Sequence, residues 1–232
     1  MISDLKPLNP IPPLSDDKRW MRLALLMAAR AQARTAENPP VGCVLVSRGG
    51  QLLATGMTGR TGRPHAEQSA LNKCIDFPER LKGASAYVTL EPCAHHGQTP
   101  PCAGALLAAG IGRVVYSVGD PDSRVDGRGH AMLEQAGVQV ESDLLQDKAR
   151  DIMAGFLFSQ NWKRPVITSK IALSSDGFVA KQRGQQTWLT GLTAKTFVHD
   201  LRSRHDGILT GIDTILSDDA QLNCRLAGDA GD

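Results

Sequence analysis

The chain has 232 residues, enough for one large domain or two small ones, and enough to bury most of its apolar surface without covalent staples. Hydrophobic residues make up 41% and charged residues 22%, the balance of an ordinary globular protein, and a formal net charge of +2 is too mild to suggest nucleic-acid binding. Lys and Arg are interleaved with acids rather than gathered in a basic stripe, which disfavours a polynucleotide partner, and no run approaches the roughly 18 uninterrupted apolar residues of a membrane span.

Residues 1–14 hold four prolines and little periodicity, which predicts a flexible tail. Ser15 with Asp16 and Asp17 makes a good helix start, because acids in the first turn offset the helix dipole. Trp20, Leu23, Ala24, Met27 and Ala31 then recur at helical spacing, which predicts an amphipathic helix to about Ala33. Its most apolar stretch, Leu23–Ala29, is flanked by Arg22 and Arg30 and preceded by acids, unlike a secretory signal, so a cytoplasmic protein is expected. Asn38-Pro39-Pro40 breaks the helix. Val41–Val46 reads as a strand, Gly49-Gly50 as a hairpin turn and Gln51–Thr55 as the returning strand. Residues 65–74 suit a helix, Ala86–Leu90 a buried strand, and Cys102–Ala109 a helix stopped by Gly110. Arg113–Val118 is another apolar strand, Gly129–Gln135 a helix and Val138–Val140 a strand. This alternation predicts an α/β layer fold with a partly parallel sheet.

Around 143–164 the pattern becomes a polar helix ending at Lys163-Arg164-Pro165, and a second apolar strand, Val166–Leu173, follows. The expected division is a tail (1–14), a first domain (15–148), a linker helix (149–162) and a second domain (163–232). The last piece is short for an independent α/β unit and ends in Ala-Gly-Asp-Ala-Gly-Asp, so it reads as the first part of a domain cut short.

Five cysteines, Cys43, Cys74, Cys93, Cys102 and Cys224, form no regular framework and are expected to be reduced. Cys43 and Cys74 read as small buried hydrophobes. Cys93 and Cys102 read differently, because they follow His65-Ala66-Glu67 and the run Glu91-Pro92-Cys93 closes an apolar strand. One imidazole and two thiolates suit a tetrahedral zinc site whose fourth position is left to water. Glu67, two residues past the histidine, is not needed as a ligand and suits a proton shuttle for hydrolytic deamination. The general zinc-deaminase signature is His-x-Glu followed by Pro-Cys-x-x-Cys. Here eight residues, not two, separate the cysteines.

Asn38-Pro39-Pro40-Val41-Gly42-Cys43, Pro64-His65-Ala66-Glu67 and the whole run from Tyr87 through Cys93-Ala94-His95-His96-Gly97-Gln98-Thr99-Pro100-Pro101 to Cys102 closely resemble the bifunctional deaminase–reductase family of riboflavin biosynthesis. The long intercysteine insert marks that branch, and Asp120-Pro121-Asp122 and Gly127-Arg128-Gly129 match it too. The resemblance implies a cytidine-deaminase-like three-layer α/β/α domain followed by an incomplete dihydrofolate-reductase-like α/β domain. It implies zinc on His65, Cys93 and Cys102, with Glu67 as proton donor and acceptor. The implied substrate is a small phosphorylated pyrimidine, 2,5-diamino-6-ribosylamino-4(3H)-pyrimidinone 5′-phosphate, which loses its 2-amino group. Asn38 is either a substrate contact or only a turn-forming residue before proline.

Lys170-Ile171-Ala172-Leu173-Ser174-Ser175-Asp176-Gly177 resembles the opening of the family's reductase domain, which uses NADPH to reduce the ribosyl group to ribityl. The resemblance puts Ala172, Trp188, Thr214 and Asp218 at cofactor positions and Gln186, Arg202, Leu222 and Arg225 at substrate positions. Arg202 and Arg225 suit a phosphate, which a guanidinium grips bidentately, although each could equally be a solvated surface charge. Ser175, Gln186 and Ala220 depart from the family's usual Leu, Ser and Pro. Reductase activity is expected to be weak or absent in this chain alone, and the family further implies a homo-oligomer. Two other readings stand beside this one: another zinc deaminase acting on cytidine, guanine or a tRNA adenosine, and a non-catalytic product whose partial domain binds a partner chain.

Overall fold

The computed structural model describes residues 16–94, 101–121, 127–182 and 184–226. The expected tail, Ser15, the middle of the intercysteine run and Asp122 lie outside the described residues.

Helix α1 (Asp16–Ala31) buries Trp20, Met21, Ala24, Leu25, Ala28 and Ala31 on one face, as its periodicity requires. It ends two residues earlier than expected. Ala33 and Ala36 take φ of 54° and 51°, left-handed values that cannot continue the helix. Strand β1 (Gly42–Val46) is buried at every position, whereas β2 (Leu52–Met57) alternates and runs two residues beyond its expected end. Between them Gly50, at φ 78°, closes the turn by donating its N–H to the Ser47 carbonyl at 2.9 Å.

The sheet has the order β2-β1-β3-β4-β5, with β3 (Ser85–Leu90), β4 (Arg113–Val118) and β5 (Gln139–Glu141). β1 pairs antiparallel with β2 and β3, and β3, β4 and β5 run parallel, which is the expected mixture. Helices α2 (Ala66–Asn72), α3 (Cys102–Ala108) and α4 (Arg128–Gln135) cover one face; α1 and α5 (Gln146–Ile152) cover the other. The central strands read as unbroken apolar runs because helices cover both of their faces.

Two glycines let this sandwich close. A Cβ on Gly42 would lie 1.9 Å from the Ala24 carbonyl oxygen of α1, and one on Gly56 would lie 2.0 Å from the Ala66 carbonyl oxygen of α2. The helices therefore rest on the strands backbone to backbone. At the start of α1, Asp17 receives both Arg113 η-nitrogens, at 2.8 and 3.0 Å, while the Tyr87 hydroxyl donates to it at 2.6 Å and Arg113 also reaches Glu141 at 2.9 Å. The Arg113 hydrogen bond holds the Asp17 carboxyl below its usual range. Its contribution to stability is therefore present above the ordinary Asp pKa and is lost as pH falls through the lowered one.

Beyond α5 the expectations need correction. The single polar linker helix is two helices, α5 and α6 (Ala154–Trp162), which meet at the fully buried Met153, and Phe156 and Leu157 of α6 pack on the core. The segment Val166–Leu173 forms no strand: it pairs with no strand among the described residues, and a strand exists only through its ladder. Helices α7 (Leu192–Ser203) and α8 (Ile212–Asp218) follow. No described residue after Met153 is buried, and Ile167, Ile171, Phe178, Trp188 and Leu209 stand exposed. Among the described residues no helix is long and apolar enough to cross a membrane.

Gly42→Ala should lower unfolding free energy by roughly 2–3 kcal/mol, because the new methyl meets α1 backbone that cannot yield cheaply. Urea denaturation measures this, and an unchanged midpoint would contradict the backbone-contact account.

Candidate metal centre

The donor groups come from two strand–helix connections on the face covered by α2 and α3. His65 stands in extended conformation directly before α2. The turn that delivers it is folded on itself: Gly59 donates its N–H to the Pro64 carbonyl at 2.9 Å. A Cβ on Gly62 would lie 2.0 Å from Asn38 Nδ2, so the turn presses against Asn38. The 35–38 segment is held by the Thr35 hydroxyl, which donates to the Asn38 carbonyl at 2.6 Å, and by Thr61, whose N–H reaches the Arg34 carbonyl at 3.0 Å. Asn38 thus borders the segment that carries His65. Glu67 lies in the first turn of α2 with 4% exposure, on the helix that Gly56 admits to the sheet.

Cys93 follows β3 through Glu91 and Pro92, and Cys102 opens α3. Their two segments are stitched together, since Ala103 donates its N–H to the Cys93 carbonyl at 3.1 Å and Cys102 donates its N–H to Cys93 Sγ at 3.3 Å. His65 Nδ1 lies 3.3 Å from Cys102 Sγ and 3.8 Å from Cys93 Sγ. The three donor atoms all lie within 4.8 Å of one another. Bonds of about 2.0–2.3 Å in a tetrahedron give donor separations of about 3.3–3.8 Å, so the arrangement fits zinc with a fourth position free.

The electrostatics suit a cation. Hydrogen bonds from the Cys102 side chain, from His65 and from the Cys102 backbone pull the Cys93 thiol down to about 4, so it is a thiolate at neutral pH. The bond to Cys93 raises the Cys102 thiol and the His65 imidazole, which means that metal binding must expel protons. Burial first, and the Cys93 charge second, push the Glu67 carboxyl up to about 7. A dication would offset that repulsion and favour the carboxylate. Cys43 and Cys74 are buried core residues, as expected.

Residues 14–118 match the family description "Cytidine and deoxycytidylate deaminase zinc-binding region", and residues 165–231 match "RibD C-terminal domain". The chain is 44% identical to the riboflavin biosynthesis protein RibD of Escherichia coli, over 90% of this chain and 56% of that protein. The chain is thus similar to RibD proteins along most of its own length. Its fold superposes on Acinetobacter baumannii RibD with a TM-score of 0.80 and 40% identity, covering 92% of this chain and 59% of that one. A Thermotoga maritima structure described as a diaminohydroxyphosphoribosylaminopyrimidine deaminase/5-amino-6-(5-phosphoribosylamino)uracil reductase gives a TM-score of 0.86 at 35% identity, over 93% of this chain and 60% of that one. The chain therefore spans somewhat more than half the length of the RibD proteins it matches. The three-layer α/β/α architecture and the RibD C-terminal region agree with the expected fold.

Of the remaining sequence-predicted residues, Arg202 on α7 and Arg225 come together around Asn223, whose carbonyl accepts from Arg202 at 3.1 Å and whose side-chain oxygen accepts from Arg225. Trp188 is exposed and carries the Lys195 ammonium 3.4 Å from its ring centroid. Thr214 and Asp218 lie one turn apart on α8. Leu222 and Ala172 are half-buried and Gln186 is exposed in the connecting segments. Sequence reasoning gave Glu91 no role, yet it is 3% exposed. The available signal was an acid closing an otherwise apolar strand, a position where a charge must find partners.

Purified chain should hold about one zinc per molecule. Cys93→Ser should lose at least about tenfold in zinc affinity, while Glu67→Gln should keep the metal. Atomic absorption after dialysis against a chelator reads both, and equal metal loss in Glu67→Gln would make it a ligand instead.

Proposed function

We propose that the chain hydrolyses the 2-amino group from 2,5-diamino-6-ribosylamino-4(3H)-pyrimidinone 5′-phosphate, the deamination step of riboflavin biosynthesis. The observation that carries this reading is the convergence of His65, Cys93 and Cys102 beside the buried Glu67, on a chain similar to RibD proteins. When bound, zinc supplies the nucleophile by bringing the pKa of its water to roughly 7.

The residues divide the remaining work. His65, Cys93 and Cys102 hold the ion and leave its fourth position open. Glu67 is not among them. As a carboxylate it takes a proton from the attacking water and passes it to the ring nitrogen; it then takes the second proton from the hydroxyl now on the ring carbon and delivers it to the amino group, which leaves as ammonia as the carbonyl forms. Burial excludes solvent from that carboxyl, so the proton it carries is not lost to bulk water between steps. Asn38, against the turn that delivers His65, orients the pyrimidine by hydrogen bonding.

For the second region, Ala172, Trp188, Thr214 and Asp218 contact NADPH, which supplies a hydride when bound, and Gln186, Arg202, Leu222 and Arg225 contact the ribosyl substrate. The support is the match of 165–231 to the RibD C-terminal domain and the pairing of Arg202 with Arg225, which suits a phosphate. The protein works as a cytoplasmic homo-oligomer on a small phosphorylated molecule, with neither nucleic acid nor membrane as partner. The even mixture of charges supports the small substrate over a polynucleotide.

Zinc-loaded chain should release ammonia from the riboflavin precursor and much more slowly, if at all, from cytidine, guanine or tRNA. Glu67→Gln should lower that turnover by about 10²–10⁴-fold. Faster release from any of the three comparison substrates would replace this substrate assignment with theirs.

A further inference from the structure

Glu91 is a buried acid placed two residues before Cys93, and among the described residues its carboxyl oxygens meet backbone N–H groups at the start of α4. Its Oε2 accepts the Gly127 N–H at 3.1 Å and its Oε1 accepts the His130 N–H at 3.1 Å, both at the start of α4. Its own N–H donates to the Val118 carbonyl at the end of β4, at 2.8 Å. From the other side α4 presses on the next residue. A Cβ on Gly129 would lie 1.9 Å from the Pro92 carbonyl oxygen and 3.2 Å from Glu91 Oε1. Pro92 is itself fully buried and fixes φ between the two residues.

We infer that Glu91 is a positioning residue for the metal centre: it latches the Glu91–Cys93 segment to the first turn of α4 and so sets where the Cys93 sulfur stands. The inference rests on the zinc reading above. A carboxylate is suited to the task because each oxygen only accepts, so both N–H donors are met at once. Gln would turn an amide N–H₂ toward one of those donors, and Asp would fall one methylene short. Strand β3 alone cannot hold the thiolate, because its last bond to β4, from the Glu91 N–H to the Val118 carbonyl, stops two residues short of Cys93.

Cobalt(II)-substituted protein tests the latch, since its visible ligand-field and thiolate charge-transfer bands report the geometry at the sulfurs independently of turnover. Glu91→Gln should lower zinc affinity by about 10- to 100-fold in a chelator competition and shift the cobalt bands. Gly129→Ala, which keeps Glu91 but displaces the Pro92 carbonyl, should do the same and decides the matter if Glu91→Gln fails to fold. Met153→Ala, a cavity on the far face, should destabilise the protein yet leave bands and affinity as in the parent. Parental bands and affinity in the folded Glu91→Gln protein overturn the inference, as does an equal shift in Met153→Ala. A parent chain that takes up no cobalt removes the zinc reading and this one together, whereas a parent that binds with an indifferent variant removes this one alone.

Discussion

Donor atoms of Cys93 and Cys102, 28 and 37 residues beyond His65 in the chain, must meet the imidazole within bonding distance of one point, and most features of the first domain can be read as conditions for that meeting. A free peptide with these residues would have to spend loop-closure and side-chain entropy to gather them. Here the sheet does so beforehand. β3 delivers Cys93, α3 begins with Cys102, and α2, seated on β2 through Gly56, brings His65 and Glu67. The glycine at 56 is therefore as much a part of the site as the three donor groups, since any side chain there would lift the helix that carries Glu67.

The electrostatic arrangement follows from the same placement. A thiolate at Cys93, stabilised by hydrogen bonds, lies beside a carboxyl that burial makes reluctant to ionise. Two neighbouring anions without a cation between them repel each other, and a dication relieves both. The centre is thus matched to a dication by its charge as well as by its geometry, and such an ion would favour the carboxylate form of Glu67.

Much of this was legible in the sequence because the signals were local and redundant. The α1 periodicity, the Gly49-Gly50 turn and the apolar runs of β1, β3 and β4 each had one physical reading, and His-x-Glu with Pro-Cys singled out the site residues that the fold draws together. The misses had longer-range causes. The end of α1 depended on backbone angles at Ala33 and Ala36 that alanine does not advertise. The break at Met153 arose from burying one residue of an otherwise polar stretch. Val166–Leu173 has strand composition, but composition supplies no ladder partner, and the described chain supplies none either. Glu91 was passed over because its partners are backbone N–H groups of α4, which leave no mark in the sequence of β3.

Zinc K-edge X-ray absorption on the metal-loaded chain tests the shared-ion geometry most directly. One nitrogen at about 2.0–2.1 Å, two sulfurs at about 2.3 Å and a single further light-atom ligand are the predicted shell. A shell of four sulfurs, or of nitrogen and oxygen alone, would show that His65, Cys93 and Cys102 do not share an ion.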